Sequence, residues 1–238
     1  APCPSHICPT ARKVKMPLNE KEIAGQIKLA HKYSVRYNVL MNASCLSARQ
    51  FSKDFRDKIL KFVKFISMAG VDSITVVDPY LLKLIRGHFD IEITVGQWAH
   101  VTEPVKTMRF KALGANSIIL HTDLNRNFDM LKLLKREVDI ELQIFVNTGE
   151  LYQCENFTSH CNFVSHMSIL SDEKMKSLGN YNYCLEKCRI IKQTDPIEFL
   201  MCAFIRPEDF KINEYLLYFN AILKKGKGVF YGLYVEND

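Results

Sequence analysis

The sequence predicts an α/β fold, a TIM-like (β/α) barrel with a missing or degenerate first strand, and three observations carry that prediction. Short Ile- and Val-rich segments alternate with amphipathic helical patterns through most of the 238 residues. No Gly-rich phosphate loop follows the first such segment, which argues against a doubly wound dinucleotide-binding sheet. No Pro/Gly/Ser-rich linker and no repeat of solenoid period breaks the alternation. Short apolar strands separated by helices are the pattern of parallel strands covered on both faces.

The elements follow in order. Asn19 with Glu22 forms a capping-box start, and Ile23, Ile27 and Ala30 recur at helical spacing up to Tyr33. Val35 to Met41 reads as a strand ending at Asn42. Phe51, Phe55, Ile59, Phe62 and Ile66 make the stripe of a second helix, closed by Gly70. Strand Ser73 to Val77 ends in Asp78-Pro79, then come helix Tyr80 to Gly87, strand Ile91 to Val95 and helix Glu103 to Leu113. Strand Ser117 to Leu120, helix Phe128 to Arg136 and strand Glu141 to Val146 complete five strand positions. From Thr148 to about Gln193 the periodicity weakens in a segment rich in Cys, His, Asn and Ser. Regular structure is expected again at Met201 to Ile205, in a helix from Pro207 to Lys224 and in a final strand Val229 to Val235. Residues 1–18 therefore read as an N-terminal extension or remnant of the first βα loop. Residues 19–238 read as one barrel domain with a cysteine-rich insertion at about 148–193. The count is about seven strands, and the deficit lies at the front.

Composition narrows the class. With 47% hydrophobic and 24% charged residues, 10 Gly and 8 Pro, the chain is neither disordered, collagenous nor of low complexity. No apolar run approaches the ~20 residues of a bilayer span, so no membrane association is expected. The net charge of +6 (32 basic, 26 acidic) is spread along the chain and forms no basic block. Residues 1–15 lack the apolar core of a signal peptide. Eight cysteines beside a single Trp are unusual for a chain able to build a full core, and they point to thiols or metal ligands in a reducing, cytoplasmic setting.

In a βα barrel functional groups stand at the C-terminal ends of strands, which selects Asn42, Asp78, Gln97, His121, Asn147 and Arg206. Asn42 and Asp78 equally suit helix capping, and the carboxylates after Arg206 suit a helix N-terminus. Cys154 and Cys161 have six residues between them, in a loop with His160 and His166, while Cys184 and Cys188 are separated by three. Paired two-residue spacings of structural zinc are absent. An iron–sulfur cluster takes looser spacing, and buried inert thiols remain an alternative. Cys45 and Cys202 read as core. The Gly-x-Ser-x-Gly, His-Glu-x-x-His and Walker patterns are missing, although a Cys154–His160 nucleophile pair can be drawn.

The segment Val146-Asn147-Thr148-Gly149-Glu150-Leu151-Tyr152-Gln153-Cys154, followed by His160, Asn162, Ser165 and His166, resembles the U-thirty-two peptidase family, also called collagenase-like proteases. It is most similar to a branch with an Asn-x-Gly-Cys-Leu-Tyr-x-Cys-Pro-Phe-Arg-x-x-His signature. Ala30-His31, Val39 to Ser44, Gly70 to Val76, Leu113-Gly114-Ala115, Asn125-Arg126, Tyr183-Cys184-x-x-x-Cys188 and Phe204 to Asp209 agree with it. The resemblance implies a βα barrel with a cysteine-ligated [4Fe–4S] cluster. It further implies oxygen-independent hydroxylation or tailoring of a small molecule or RNA in place of peptide hydrolysis. By position it implies Cys154, Cys184 and Cys188 as ligands, with Cys161 or Cys8 as the fourth. Asn42, Asp78, His160 and Arg206 would then shape the substrate cavity. Glu150 stands where the branch has Cys, and Glu155-Asn156-Phe157 where it has Pro-Phe-Arg. Two further classes therefore stay open: a cofactor-free peptidase using Cys154 or His160, and a non-catalytic subunit partnering a complete homologue.

Overall fold

A computed structural model describes residues 3–4, 7–10, 18–145, 152–168, 170 and 173. Its sheet has five parallel strands in the order β1-β2-β3-β4-β5: β1 (Asn38–Met41), β2 (Ser73–Val76), β3 (Glu92–Val95), β4 (Ser117–Ile119) and β5 (Glu141–Gln143). Each strand pairs with the next in sequence, and a helix follows each of the first four: α2 (Lys53–Met68), α3 (Pro79–Arg86), α4 (Pro104–Ala112) and α5 (Phe128–Glu137). That sequential order is the α/β barrel arrangement and differs from a doubly wound sheet, where strand order reverses. The expected strands at Met201 to Ile205 and Val229 to Val235 lie outside the described residues, as does the expected helix from Pro207. Among the described residues no helix is long and apolar enough to cross a membrane.

Local chemistry sets the helix limits. Before α1 (Glu20–Lys32), the Asn19 side chain accepts the Glu22 N–H at 3.0 Å and the Glu22 carboxylate accepts the Asn19 N–H at 2.7 Å. Ser52 caps α2 by accepting the Phe55 N–H at 3.3 Å, so Phe51 falls outside the helix whose stripe it was expected to join. It sits in a short 3₁₀ turn (Arg49–Phe51), exposed, with its ring edge-on to Tyr80 at 5.2 Å. The rest of that stripe, Phe55, Ile59, Phe62 and Ile66, is buried as expected. Asp78 caps α3 ahead of Pro79, and Asn127 caps α5.

Register divides the sheet into two unlike faces. The pairs Met41–Val76, Val76–Val95, Val95–Ile118 and Ile118–Leu142 form one continuous row, with Val39, Ile74 and Ile93 beside it. These side chains join the buried helix residues in a single hydrophobic core. The alternate positions are mostly polar, Leu40 and Ile119 excepted, and Ser73, Thr75, Thr94 and Ser117 among them are buried. Thr75 donates to Asn38 Oδ1 at 2.9 Å, Asn38 Nδ2 to Ser73 Oγ at 2.7 Å, and the Thr94 and Ser117 hydroxyls meet at 2.8 Å. Both faces are covered, as the sequence pattern implies, but one is continuously apolar and the other is dominated by hydroxyl and amide side chains.

Two features were not legible beforehand. The segment expected to be weakly periodic contains α6 (Phe157–Met167). Residues of the N-terminal segment enter the core: Cys3, Ile7 and Cys8 are buried, and the Cys3 N–H donates to the Leu40 carbonyl of β1 at 2.7 Å.

Two helix ends offer a controlled stability test. Gly70 and Gly114 have φ of 88° and 102°, and both close helices. A Cβ at Gly70 would meet only the His31 ring at 3.6 Å, whereas at Gly114 it would lie 2.7 Å from Arg86 Cγ. Gly70→Ala is expected to cost about 1–2 kcal/mol from the left-handed backbone alone. Gly114→Ala should cost more, because Arg86 must also leave the Gly114 carbonyl it bonds at 3.0 Å. Urea unfolding of the two variants checks the order.

Candidate active site at the C-terminal ends of the strands

The loop after β1 carries Asn42, Ala43, Ser44 and Cys45, and α6 is tied directly to it. Ser165 Oγ accepts the Ser44 N–H at 3.0 Å, and the Ser44 hydroxyl donates to Asn162 Oδ1 at 2.9 Å. Further along the same face of the helix, His166 Nε2 lies 3.1 Å from Cys45 Sγ. The Ser47 N–H also points at that sulfur, at 3.4 Å. Ser47 and Ala48 both adopt positive φ, 52° and 59°, without being glycine. Such backbone costs of order 1–3 kcal/mol per residue, and it is kept here by the buried Ala43 and Leu46 on the inner side of the loop. From the N-terminal segment, the Thr10 N–H reaches Ser168 Oγ at 3.2 Å, just past α6.

The other end of α6 lies against the loops after β3 and β4. The Phe157 ring is 4.3 Å from that of His121, edge-on, and 5.7 Å from that of His100, while the two imidazoles are 4.1 Å apart. His121 is 2% exposed. Its Nδ1 lies 3.3 Å from the Asp123 N–H and 3.4 Å from Asp123 Oδ2, and its Nε2 has no hydrogen-bond partner among the described residues. Asp123 Oδ1 also accepts the Gln153 N–H at 2.9 Å, which draws the segment before α6 onto the β4 loop. Burial alone would raise the Asp123 carboxyl, but the hydrogen bonds from His121 and Gln153 and the charges of His121 and His100 outweigh it and hold the pKa low. Loss of water on the packed side of His100 pushes its pKa down, and His121 and Lys106 push it further.

The expected site residues separate into three groups. Asn42 and Asp78 stand at the C-terminal ends of β1 and β2 as foreseen. Asp78 also acts as a cap, accepting the Leu81 N–H at 2.7 Å, with Gln50 Nε2 at 3.4 Å on its other oxygen. Gln97 opens the 3₁₀ turn Gln97–Ala99 after β3. His160 and Cys161 lie on α6, Cys161 buried, and Cys154 stands half-buried in the turn before it, accepting the Phe157 N–H at 3.0 Å. Cys8, considered for the fourth ligand position, is fully buried. Burial, chiefly, pushes its thiol up to about 12, with Arg49 opposing and Asp78 adding to the shift. Asn147, Cys184, Cys188, Cys202 and Arg206 lie outside the described residues. Among the described residues no three His, Cys, Asp or Glu side chains are arranged to hold a metal ion. Reading from sequence placed Cys45 in the core and did not pair it with His166. The signal that was available is that Cys45 follows a strand end by only four positions.

A parallel sheet in sequential order, with polar side chains gathered at its C-terminal edge, defines a (β/α)-barrel protein. Comparison with known proteins agrees. The model of peptidase family U32 matches residues 9–218, and the chain belongs to that family. It is 30% identical over 202 residues to the uncharacterized protease MJ1657 of Methanocaldococcus jannaschii, covering 85% of this chain and 59% of that protein's length. The solved structure of the U32 peptidase Mk0906 superposes with a TM-score of 0.62 at 23% identity, over 72% of this chain and 70% of that one. This likeness supports the fold.

The His100–His121–Asp123 cluster has a defined response to acid. His100, with its pKa lowered, stays neutral in the fold when the unfolded chain begins to protonate near the ordinary value of about 6.5. Its contribution to stability therefore falls as pH drops through that point. The lowered Asp123 pKa acts in the same sense: its stabilisation is present above about 3.9 and is lost as pH falls through the folded value. Asp123→Asn should lower the His100 pKa further, and His121→Gln should raise it, as read by NMR titration of the His100 ring.

Proposed function

We propose that this chain is an iron–sulfur barrel protein, with a [4Fe–4S] cluster held by Cys154, Cys161, Cys184 and Cys188, Cys8 being the alternative fourth ligand. The reaction would be an oxygen-independent hydroxylation or related tailoring step on a small molecule or RNA. The observation that supports this most is the course of α6. Ties from Ser165 and Asn162 to Ser44, and from Gln153 to Asp123, carry the whole segment from Cys154 to Cys161 to the strand C-terminal ends. Two of the four thiols thereby share a face with Asn42, Asp78 and His160, the residues proposed to line the substrate cavity. The chemistry of the donors also fits, since thiolates are the ligands such clusters take and none of the five described cysteines is in a disulfide. Free thiols in a chain with a full apolar core suit a reducing, cytoplasmic compartment.

When bound, the cluster would supply one-electron chemistry. The chain's own part is to enclose it: Cys161 is buried on the inner side of α6, and hydrogen bonds from neighbouring groups to cluster sulfur tune such centres. A homologous protein could complete the active assembly, and size measurement with and without a co-expressed homologue addresses that point.

Anaerobic purification tests the reading. About four iron and four sulfide per chain, with visible absorption, are expected, and Cys154→Ser or Cys184→Ser should lose most of both. A colourless, iron-free protein that gains neither on reconstitution with ferrous iron and sulfide would overturn it.

A further inference from the structure

We infer that Cys45 and His166 form a thiol–imidazole nucleophile pair that accepts an acyl group from an ester or amide substrate. The pair is separate from the proposed cluster ligands, and the inference stands with or without the cluster. Four observations converge on it. The sulfur and Nε2 are 3.1 Å apart across 121 residues of sequence. Cys45 is half-buried, whereas Cys3, Cys8 and Cys161 are buried, so it is a thiol a substrate can reach. The two residues are held in register by the neighbouring bonds from Ser44 to Ser165 and Asn162. Beyond Cys45 the chain takes two consecutive strained non-glycine conformations at Ser47 and Ala48, which turn the Ser47 N–H back onto the sulfur.

The partners of the sulfur identify the class of chemistry. Among the described residues they are one imidazole and one backbone N–H, with no second sulfur of the kind a disulfide-exchanging thiol needs. An imidazole beside a thiol serves acyl transfer, in which a proton must leave sulfur and then reach a leaving group. Cys45 Sγ attacks the carbonyl carbon while His166 Nε2 takes the thiol proton. The C–O or C–N bond then breaks, and His166 returns that proton to the departing alcohol or amine. Water, deprotonated by His166, attacks the thioester; the S–C bond breaks, the proton goes back to sulfur, and a carboxylic acid leaves. The cycle is redox-neutral and consumes only water.

The test uses the full chain and p-nitrophenyl acetate as the acyl donor. Acid-quenched samples should carry one acetyl group, mapped by peptide mass spectrometry to Cys45, and p-nitrophenol should continue to appear after that burst. Cys45→Ser should abolish the thioester. His166→Gln should slow acylation by roughly 10²-fold, the lower range for loss of a general base. His166→Gly should recover part of the rate when imidazole is added, which a merely structural histidine would not allow. Circular dichroism confirms that each variant is folded. Acetylation that maps to Cys154 or elsewhere, or a His166→Gln protein that reacts at the unaltered rate, would overturn the inference.

Discussion

The register of the parallel ladder is the constraint on which the rest of the structure depends. Pairing Met41 with Val76, Val76 with Val95 and Val95 with Ile118 places most large aliphatic side chains of the sheet on one face, where the helix stripes cover them; Leu40 and Ile119 are the exceptions. A slip of one residue would exchange that row for Thr75, Thr94 and Ser117 and expose their hydroxyls to the aliphatic core. Each hydroxyl or amide so stranded costs about 1–3 kcal/mol, whereas on their own face Asn38, Ser73 and Thr75 satisfy one another, as do Thr94 and Ser117. The hydrophobic row and the hydroxyl network thus select the same alignment for different physical reasons. With the strands locked, the loops that follow them must all emerge at one edge.

That edge is organised by α6. Its 11 residues rise about 16 Å at the usual pitch, enough to reach from the β3 and β4 loops to the β1 loop. Phe157 packs on the imidazoles of His100 and His121 at one end, and Ser165 and His166 engage Ser44 and Cys45 at the other. The helix buries Cys161 and Met167, and Ser165 and Ser168 are almost wholly enclosed as well. Directional hydrogen bonds add to that packing, and they fix azimuth and register more sharply than an apolar contact does. Four of the five non-glycine residues with positive φ lie in the segments it touches or follows: Ser47, Ala48, His100 and Gln153.

The same contrast explains how far the sequence could be read. The five strands and most of the first five helices announce themselves because apolar residues on their buried faces repeat at period 2 or 3.6, as with Ile59, Phe62 and Ile66 or Leu131 and Leu134. Helix α4, which buries Thr107 and Phe110, is marked more by the Gly114 that closes it. Capping chemistry was equally visible at Asn19 and Asp78. Phe51 misled because an aromatic at helical spacing cannot reveal that Ser52, next to it, will take the cap. Helix α6 was hidden since its enclosed positions are Cys161, Ser165 and Met167, a set with no hydrophobic rhythm. The Cys45–His166 contact was hidden more deeply. A hydrogen bond between residues 121 apart leaves no local trace, and the buried neighbours Ala43 and Leu46 make Cys45 look like core.

Cysteines that look alike in sequence are therefore different chemical groups in the fold. Cys8 sits in a sealed environment where ionisation is opposed, its thiol pushed up to about 12, and Cys3 beside it is raised as well, by burial first and by Cys8 second. Thiols of that kind pack as small apolar groups. Cys154 and Cys161 are carried by a turn and helix held to the face by bonds that would survive loss of either sulfur, an arrangement suited to presenting ligands. Cys45 combines partial exposure with an imidazole 3.1 Å away. The difference between these roles is not composition or spacing but which loop each sulfur rides on, and that is decided by the ladder register and the polar docking of α6.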